Sequence, residues 1–257
     1  MLRRPDELRA LVEAYLDELA LTPELHGLDG PLRYALAGGG KRVRPVLCLA
    51  TAEAAGVDAE RALPAAAAVE LVHSFSLVHD DLPALDDDAE RRGRPTLHVR
   101  YDEAVAVLAG DALLAEAFRL ALSYSTPAVG RELAQATLGM IGGQYLDVAG
   151  DRADEETLNR LKTGRLFDAA VGCGLWVAAV PEPAQAPWRR FAAELGPLFQ
   201  AVDDLLDGDG SVATRGVAWT RGAAEDAASR ALRALEAVPA DTSVLAELVE
   251  TLAARTS

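Results

Sequence analysis

The chain has 257 residues, half of them hydrophobic and only 5% aromatic. Alanine and leucine dominate, so the composition supports a sizeable core and leans to an all-α fold rather than to strands. A formal net charge of −15 excludes the basic face that binding to a nucleic-acid backbone requires, although metal ions can still hold small phosphorylated ligands on an acidic protein.

In chain order, residues 8–20 carry helical apolar spacing behind Pro5, a residue suited to a first turn. A short helix over 32–37 ends at Gly38-Gly39-Gly40, and Pro45 opens an apolar helix to about residue 55. Pro64 starts a long helix that runs into an aspartate cluster, where Pro83 should end it. Further helices are expected over 103–122 and 130–148, and over 155–180 in two pieces around Gly164 and the 172–174 region. The last expected helices cover 188–207, 223–237 and 244–254. No repeat or long linker divides residues 1–257, so a single helical bundle domain is expected. No uncharged apolar run reaches the ~18–20 residues of a membrane span. Asp6 and Glu7, close behind Arg3 and Arg4, leave no room for the apolar stretch of a signal peptide. Cys48 and Cys173 lie far apart in apolar surroundings and read as reduced, buried thiols, which makes a cytoplasmic protein the expectation.

Two acidic clusters interrupt these apolar helices: Asp80-Asp81 with Asp86-Asp87-Asp88, and Asp203-Asp204 with Asp207. Carboxylates are rarely buried without a partner. Residues three and four apart share one helix edge, so Asp203, Asp204 and Asp207 would repel unless a cation sits among them. Mg²⁺ suits such oxygen donors and keeps sites open for water and phosphate. The duller reading is a solvated helix end, although acids there oppose the helix dipole. The first cluster is followed by Arg91, Arg92 and Arg94, an order that suits metals holding a diphosphate while guanidiniums grip its free oxygens. A second basic group, Lys41-Arg42-Val43-Arg44, follows the Gly38–Gly40 loop, whose backbone N–H groups can converge on an anion. Lys41 and Lys162 are the only lysines in the chain.

The ordered set of segments resembles the trans-isoprenyl diphosphate synthases, the polyprenyl synthetase family. The resemblance is carried by Gly39-Gly40-Lys41-Arg42-Val43-Arg44-Pro45, by the stretch from Glu70 through His73, Phe75, Ser76 and His79 to Asp80-Asp81-Leu82-Pro83, and by Asp86 to Arg91-Arg92-Gly93-Arg94-Pro95-Thr96. It continues in Gly110-Asp111, Gly142-Gly143-Gln144 with Asp147, Lys162-Thr163-Gly164, and Phe199-Gln200 leading to Asp203. It implies an all-α bundle of the isoprenoid synthase type around a deep cavity, a homodimer, and about three Mg²⁺ ions shared by the two aspartate motifs. Asp80, Asp86 and Asp203 are then direct ligands, and Asp81, Asp204 and Asp207 act directly or through water. The implied substrates are isopentenyl diphosphate and an allylic diphosphate, dimethylallyl or geranyl. Arg91 would contact the allylic diphosphate, while Lys41, Arg44, His73 and Arg92 would hold that of isopentenyl diphosphate. Lys162, Thr163 and Gln200 would stabilise the carbocation formed as the diphosphate leaves.

Farnesyl-forming bacterial members carry an aromatic residue five positions before the first aspartate, and Phe75 stands there, with Ser76 beside it as a chain-length residue. A fifteen-carbon product is expected, with twenty carbons the alternative. The chain departs from the family after Asp207, where the usual lysine-bearing segment is shortened and no lysine follows Lys162. That departure leaves open a weakly active regulatory subunit. A class I terpene cyclase would share the metal logic but leave the Lys41–Arg44 group without a use. Gly142 and Gly143 are expected to permit close helix packing.

Overall fold

The computed structural model describes residues 2–150 and 154–256. Pro5 sits in the first turn of helix α1 (Pro5–Asp17), and Glu7 caps it by accepting the Arg4 N–H at 2.7 Å. There follow α2 (Asp29–Leu36), α3 (Val43–Ala54) and the long α4 (Ala59–Asp80). A hairpin of β1 (Glu90–Arg91) and β2 (Arg94–Pro95) leads to α5 (Leu97–Arg100), α6 (Glu103–Ala121) and α7 (Ala128–Ala149). Beyond these come α8 (Glu155–Asn159), a π-helical turn (Arg160–Gly164) and α9 (Arg165–Val177). The chain closes with α10 (Ala186–Asp207), α11 (Gly210–Arg215), α12 (Val217–Glu236) and α13 (Ser243–Ala253).

The all-α expectation holds, and its reason is visible in α4. This helix packs against α1, α3, α6 and α9, and Ala65, Ala66, Ala67 and Ala68 are all buried. Small side chains on several faces let four neighbours approach one helix. Among the described residues α4 alone could cross a membrane by length and composition, but 67% of that stretch is buried in this fold. On its far side α9 packs against α3, α7 and α10, while α12 and α13 cover α10.

Three expected boundaries move. Pro64 lies inside α4, not at its start, and the missing N–H is accommodated by a side chain from elsewhere. The Tyr124 hydroxyl accepts the Ala65 N–H at 3.1 Å and donates to the Arg61 carbonyl at 2.8 Å, filling the rung beside the proline. No break occurs at residues 172–174. Gly174 instead lets α9 lie directly on α3, where a Cβ would meet the Cys48 carbonyl oxygen at 2.6 Å. Finally, the stretch after Asp207 is helical almost at once, as α11 and the first turns of α12.

Tyr124→Phe removes the plug at Pro64 while keeping the ring. It should lower unfolding free energy by about 1–2 kcal/mol, as expected for stranding a buried backbone N–H and C=O. Urea unfolding should show a lower midpoint at an unchanged slope.

Candidate functional site

The two aspartate motifs end α4 and α10, and the π turn joins them to one another. A π turn adds a residue to the helical ladder and is often found at functional positions. Gly196 of α10 allows the approach, since a Cβ there would stand 2.7 Å from the Gly164 Cα. Thr163 is thereby brought to Gln200, whose Oε1 accepts its hydroxyl at 3.4 Å. Lys162 pairs with Asp147 of α7 at 2.5 Å and also acts electrostatically on Asp80. Gly143 leaves room for this, because a Cβ would meet Lys162 and Leu161 at 2.9 Å. The packing expected of Gly142 is not seen, as nothing lies within 4 Å of its would-be Cβ.

The acids divide into two groups. Asp81 is buried and bound by Arg91 at 2.6–2.7 Å. Asp204 is buried and accepts from the Ser211 N–H at 2.9 Å, the Ser211 hydroxyl at 2.6 Å and the Gln200 amide at 2.8 Å. In contrast, no hydrogen bond or ion pair among the described residues engages the side chains of Asp80, Asp86, Asp203 and Asp207. Burial, reinforced by Asp86 and Asp81 and opposed by Lys162 and Arg91, pushes Asp80 up to about 6. Burial and Asp207 do the same to Asp203, against the pull of Arg44, Lys41 and Arg255.

Positive groups surround the mouth, and they also divide. Arg42 adopts a left-handed backbone (φ 46°) and spends its guanidinium on Glu70 and the Leu36 carbonyl, both at 2.5 Å. Arg92, at φ 55°, precedes Gly93 at φ 74° in the hairpin, and both angles fit a two-residue type I′ turn. Its guanidinium donates to the Gly39 carbonyl and so ties the turn to the Gly38–Gly40 loop. Arg91 is held by Asp81 and by Asp88 at 3.3 Å. Lys41 has no such partner among the described residues, and burial, Arg255 and Arg92 lower its pKa while Asp203 raises it. Arg44 lies over the rings of Phe167 (4.5 Å) and Phe199 (5.2 Å) with its Nε buried and unpartnered. Burial brings it down to about 10. Burial and then Arg44, Arg92, Arg42 and Arg91 hold His73 well below the usual imidazole range, so it is neutral.

Beside Asp80 and Lys162 opens an apolar groove of about 330 Å³. Phe75, Ser76 and His79 line it from α4, and Met140, Ile141 and Tyr145 from α7. The α7 wall and Arg255 escaped the sequence reading. Arg255 follows α13 and acts on Asp203 and Lys41, yet nothing around it in the sequence marks it. The Tyr145 wall is an ordinary helical apolar spacing.

The donors fit a divalent cation of the Mg²⁺ type. Among the described residues no three His, Cys, Asp or Glu side chains are grouped closely enough to hold a metal ion by themselves. What is present is unpartnered carboxylate oxygen near the ends of two helices, with Asp80 and Asp203 raised in pKa by burial. That donor set suits a hard ion whose coordination is completed by water and phosphate oxygens.

The polyprenyl synthetase model matches residues 26–256. The chain belongs to the polyprenyl synthetase family. It is 44% identical over 191 residues to a geranylgeranyl diphosphate synthase of Cyanophora paradoxa, covering 68% of this chain and 64% of that relative. It is 38% identical over 215 residues to a farnesyl diphosphate synthase of Geobacillus stearothermophilus, covering 76% of this chain and 72% of the other. Against the Capsicum annuum geranylgeranyl pyrophosphate synthase it spans 57% of the relative's length, so the chain matches about three-fifths of the first of these proteins. The crystal structure of a geranyltransferase from Legionella pneumophila superposes with a TM-score of 0.85 at 32% identity, covering 98% of this chain and 96% of that one. For a polyprenyl synthetase family member the bundle is therefore the expected isoprenoid synthase fold.

A carboxyl whose pKa is raised by folding favours the native state at low pH and loses that contribution as pH rises to its folded value. For Asp203 the window runs from its ordinary value, near 4, up to about 6. In metal-free protein Asp203→Asn should therefore raise the melting temperature at pH 7.5, with the difference vanishing near pH 4. Calorimetry in a chelator at both pH values checks this.

Proposed function

We propose that this protein is a Mg²⁺-dependent prenyltransferase that condenses an allylic diphosphate with isopentenyl diphosphate to a short-chain trans-prenyl diphosphate, farnesyl diphosphate above all. The reading is carried by one juxtaposition: Asp80, with Asp86 acting on it, lines an apolar groove together with Lys162, and the π turn that carries Lys162 also brings Thr163 to Gln200 of α10, the helix whose Asp203 feels Asp207, Arg44 and Lys41. Such a site suits a molecule with a polyanionic head and a hydrocarbon tail.

The four acids would hold the metal, with Asp81 and Asp204 acting through their neighbours. Bound there, Mg²⁺ supplies electrophilic assistance to departure of the allylic diphosphate. Lys41, Arg44 and Arg92, with neutral His73 beneath them, would orient the diphosphate of isopentenyl diphosphate. Arg91, already braced by Asp81, would meet the allylic one. Thr163 and Gln200 would turn oxygen dipoles toward the developing positive centre, their order preset by the Thr163–Gln200–Asp204 chain, with Lys162 beside them held by Asp147. As the allylic C–O bond breaks and releases diphosphate, the isopentenyl double bond would attack that centre, and the proton then lost would pass to the departing diphosphate. Apolar walls keep water from capturing the cation.

Phe75 is buried and edges the groove, which supports a fifteen-carbon limit. A twenty-carbon product is the second reading, favoured by the names of the Cyanophora and Capsicum relatives. A second copy of the chain is the partner we infer for the exposed Leu138 of α7 and Leu108 of α6. An apolar face of this kind is usually covered.

Purified protein with dimethylallyl and isopentenyl diphosphates and Mg²⁺ should release pyrophosphate and give a product of farnesyl mass. Asp80→Ala or Asp203→Ala should lower the rate by about a hundredfold or more, and Phe75→Ala should lengthen the product. Release without isopentenyl diphosphate would favour a cyclase, and no release a regulatory subunit. Full rates in both aspartate variants would overturn the metal assignment.

A further inference from the structure

His79 has no part in the chemistry described so far, although it lines the groove between Phe75 and Asp80. Its ring is seated on α6. An ideal Cβ at Gly110 would fall 2.1 Å from His79 Nε2 and 2.3 Å from Cδ2, so only glycine leaves room for the imidazole. Nε2 stands 3.1 Å from the Val107 carbonyl oxygen. A carbonyl can only accept, so Nε2 carries the proton and donates it. On its other side the imidazole meets the Phe75 ring edge to face, with centroids 5.0 Å apart and planes at 72°. Phe75 and His79 are four residues apart and share one face of α4. The ring of Phe75 is thus confined on one flank by a second ring, which is itself held by a hydrogen bond and by a notch in α6.

We propose that His79 is a positioning residue for product length: seated on Gly110 and bonded to Val107, it braces Phe75 and fixes how deep the groove runs. This deepens the prenyltransferase reading and rests on it. Phe75 sets the floor only while its ring cannot swing toward α6, and His79 occupies the space it would swing into. Truncating His79 frees that space and deepens the groove. Crowding His79 from behind has the opposite effect, because the imidazole can retreat from α6 only into the groove it lines.

The test is mass analysis of products from dimethylallyl and isopentenyl diphosphates, on variants whose folding is checked by circular dichroism. His79→Ala should raise the ratio of the next longer product to the wild-type product about tenfold, the order of discrimination that a small change in an apolar pocket gives. His79→Gln, whose amide nitrogen can take the place of Nε2, should return the ratio toward wild type. Gly110→Ala should shift products to shorter chains. In a Phe75→Ala background, where there is no ring left to brace, adding His79→Ala should change nothing further. A folded His79→Ala protein with the wild-type product ratio overturns the proposal, as does equal lengthening with and without Phe75. A wild-type protein that makes no prenyl product is a different failure: it overturns the prenyltransferase reading, and this inference with it.

Discussion

An ionised group taken out of water without a partner is costly, and this fold keeps several such groups, Asp80, Asp203 and Arg44 among them. Asp80 and Asp203 are pushed up to about 6 by burial, while Arg44 is brought down to about 10 by the same cause. Asp203 and Arg44 act on one another, yet no direct ion pair between them is formed among the described residues. A folded chain tolerates this only if the rest of the molecule holds the groups in place. The tightly packed α4, the glycine contacts at 143, 174 and 196, and the π turn supply that rigidity. Stability has been given up locally for a site that is completed by charge arriving from outside.

Around this frustrated set lies a second ring of charges that are fully paired. Arg42 with Glu70, Arg91 with Asp81 and Asp88, and Lys162 with Asp147 each fix a segment of backbone. The distinction explains why neighbours of identical chemistry differ in their availability. Asp80 is open to a ligand, whereas Asp81, one residue on, is consumed by the hairpin arginine. Similarly, the Arg42 Nη groups are bound by Glu70 and the Leu36 carbonyl, whereas Arg44 rests on the Phe167 and Phe199 rings.

The helical scaffold was legible because its apolar spacing is local, and the two acidic clusters stood out because they break that spacing. Elements that depend on partners distant in sequence were not. The hairpin at 90–95 has two-residue strands and an arginine in a left-handed turn, a conformation secured by Gly39 far upstream. Pro64 reads as a helix start unless Tyr124 is known to stand beside it. Gly172 and Gly174 read as breakers until α3 and the Glu132–Arg189 pair are laid against them. The roles of adjacent acids were equally hidden, since nothing in Asp203-Asp204 says which of the two meets Ser211.

That last contact links chain length to charge. Ser211 lies seven residues beyond Asp204 and reaches it only because the connection into α12 is short, with Gly210 packed so tightly that a Cβ would stand 2.6 Å from the carboxylate. Thr220 steadies the serine from the following helix at 3.1 Å. Brevity here acts as a rivet that occupies the oxygens of one carboxylate with neutral donors. Lengthening the connection would unfasten it and release those oxygens as ligands, so insertions in this stretch and the donor set on α10 are bound to vary together.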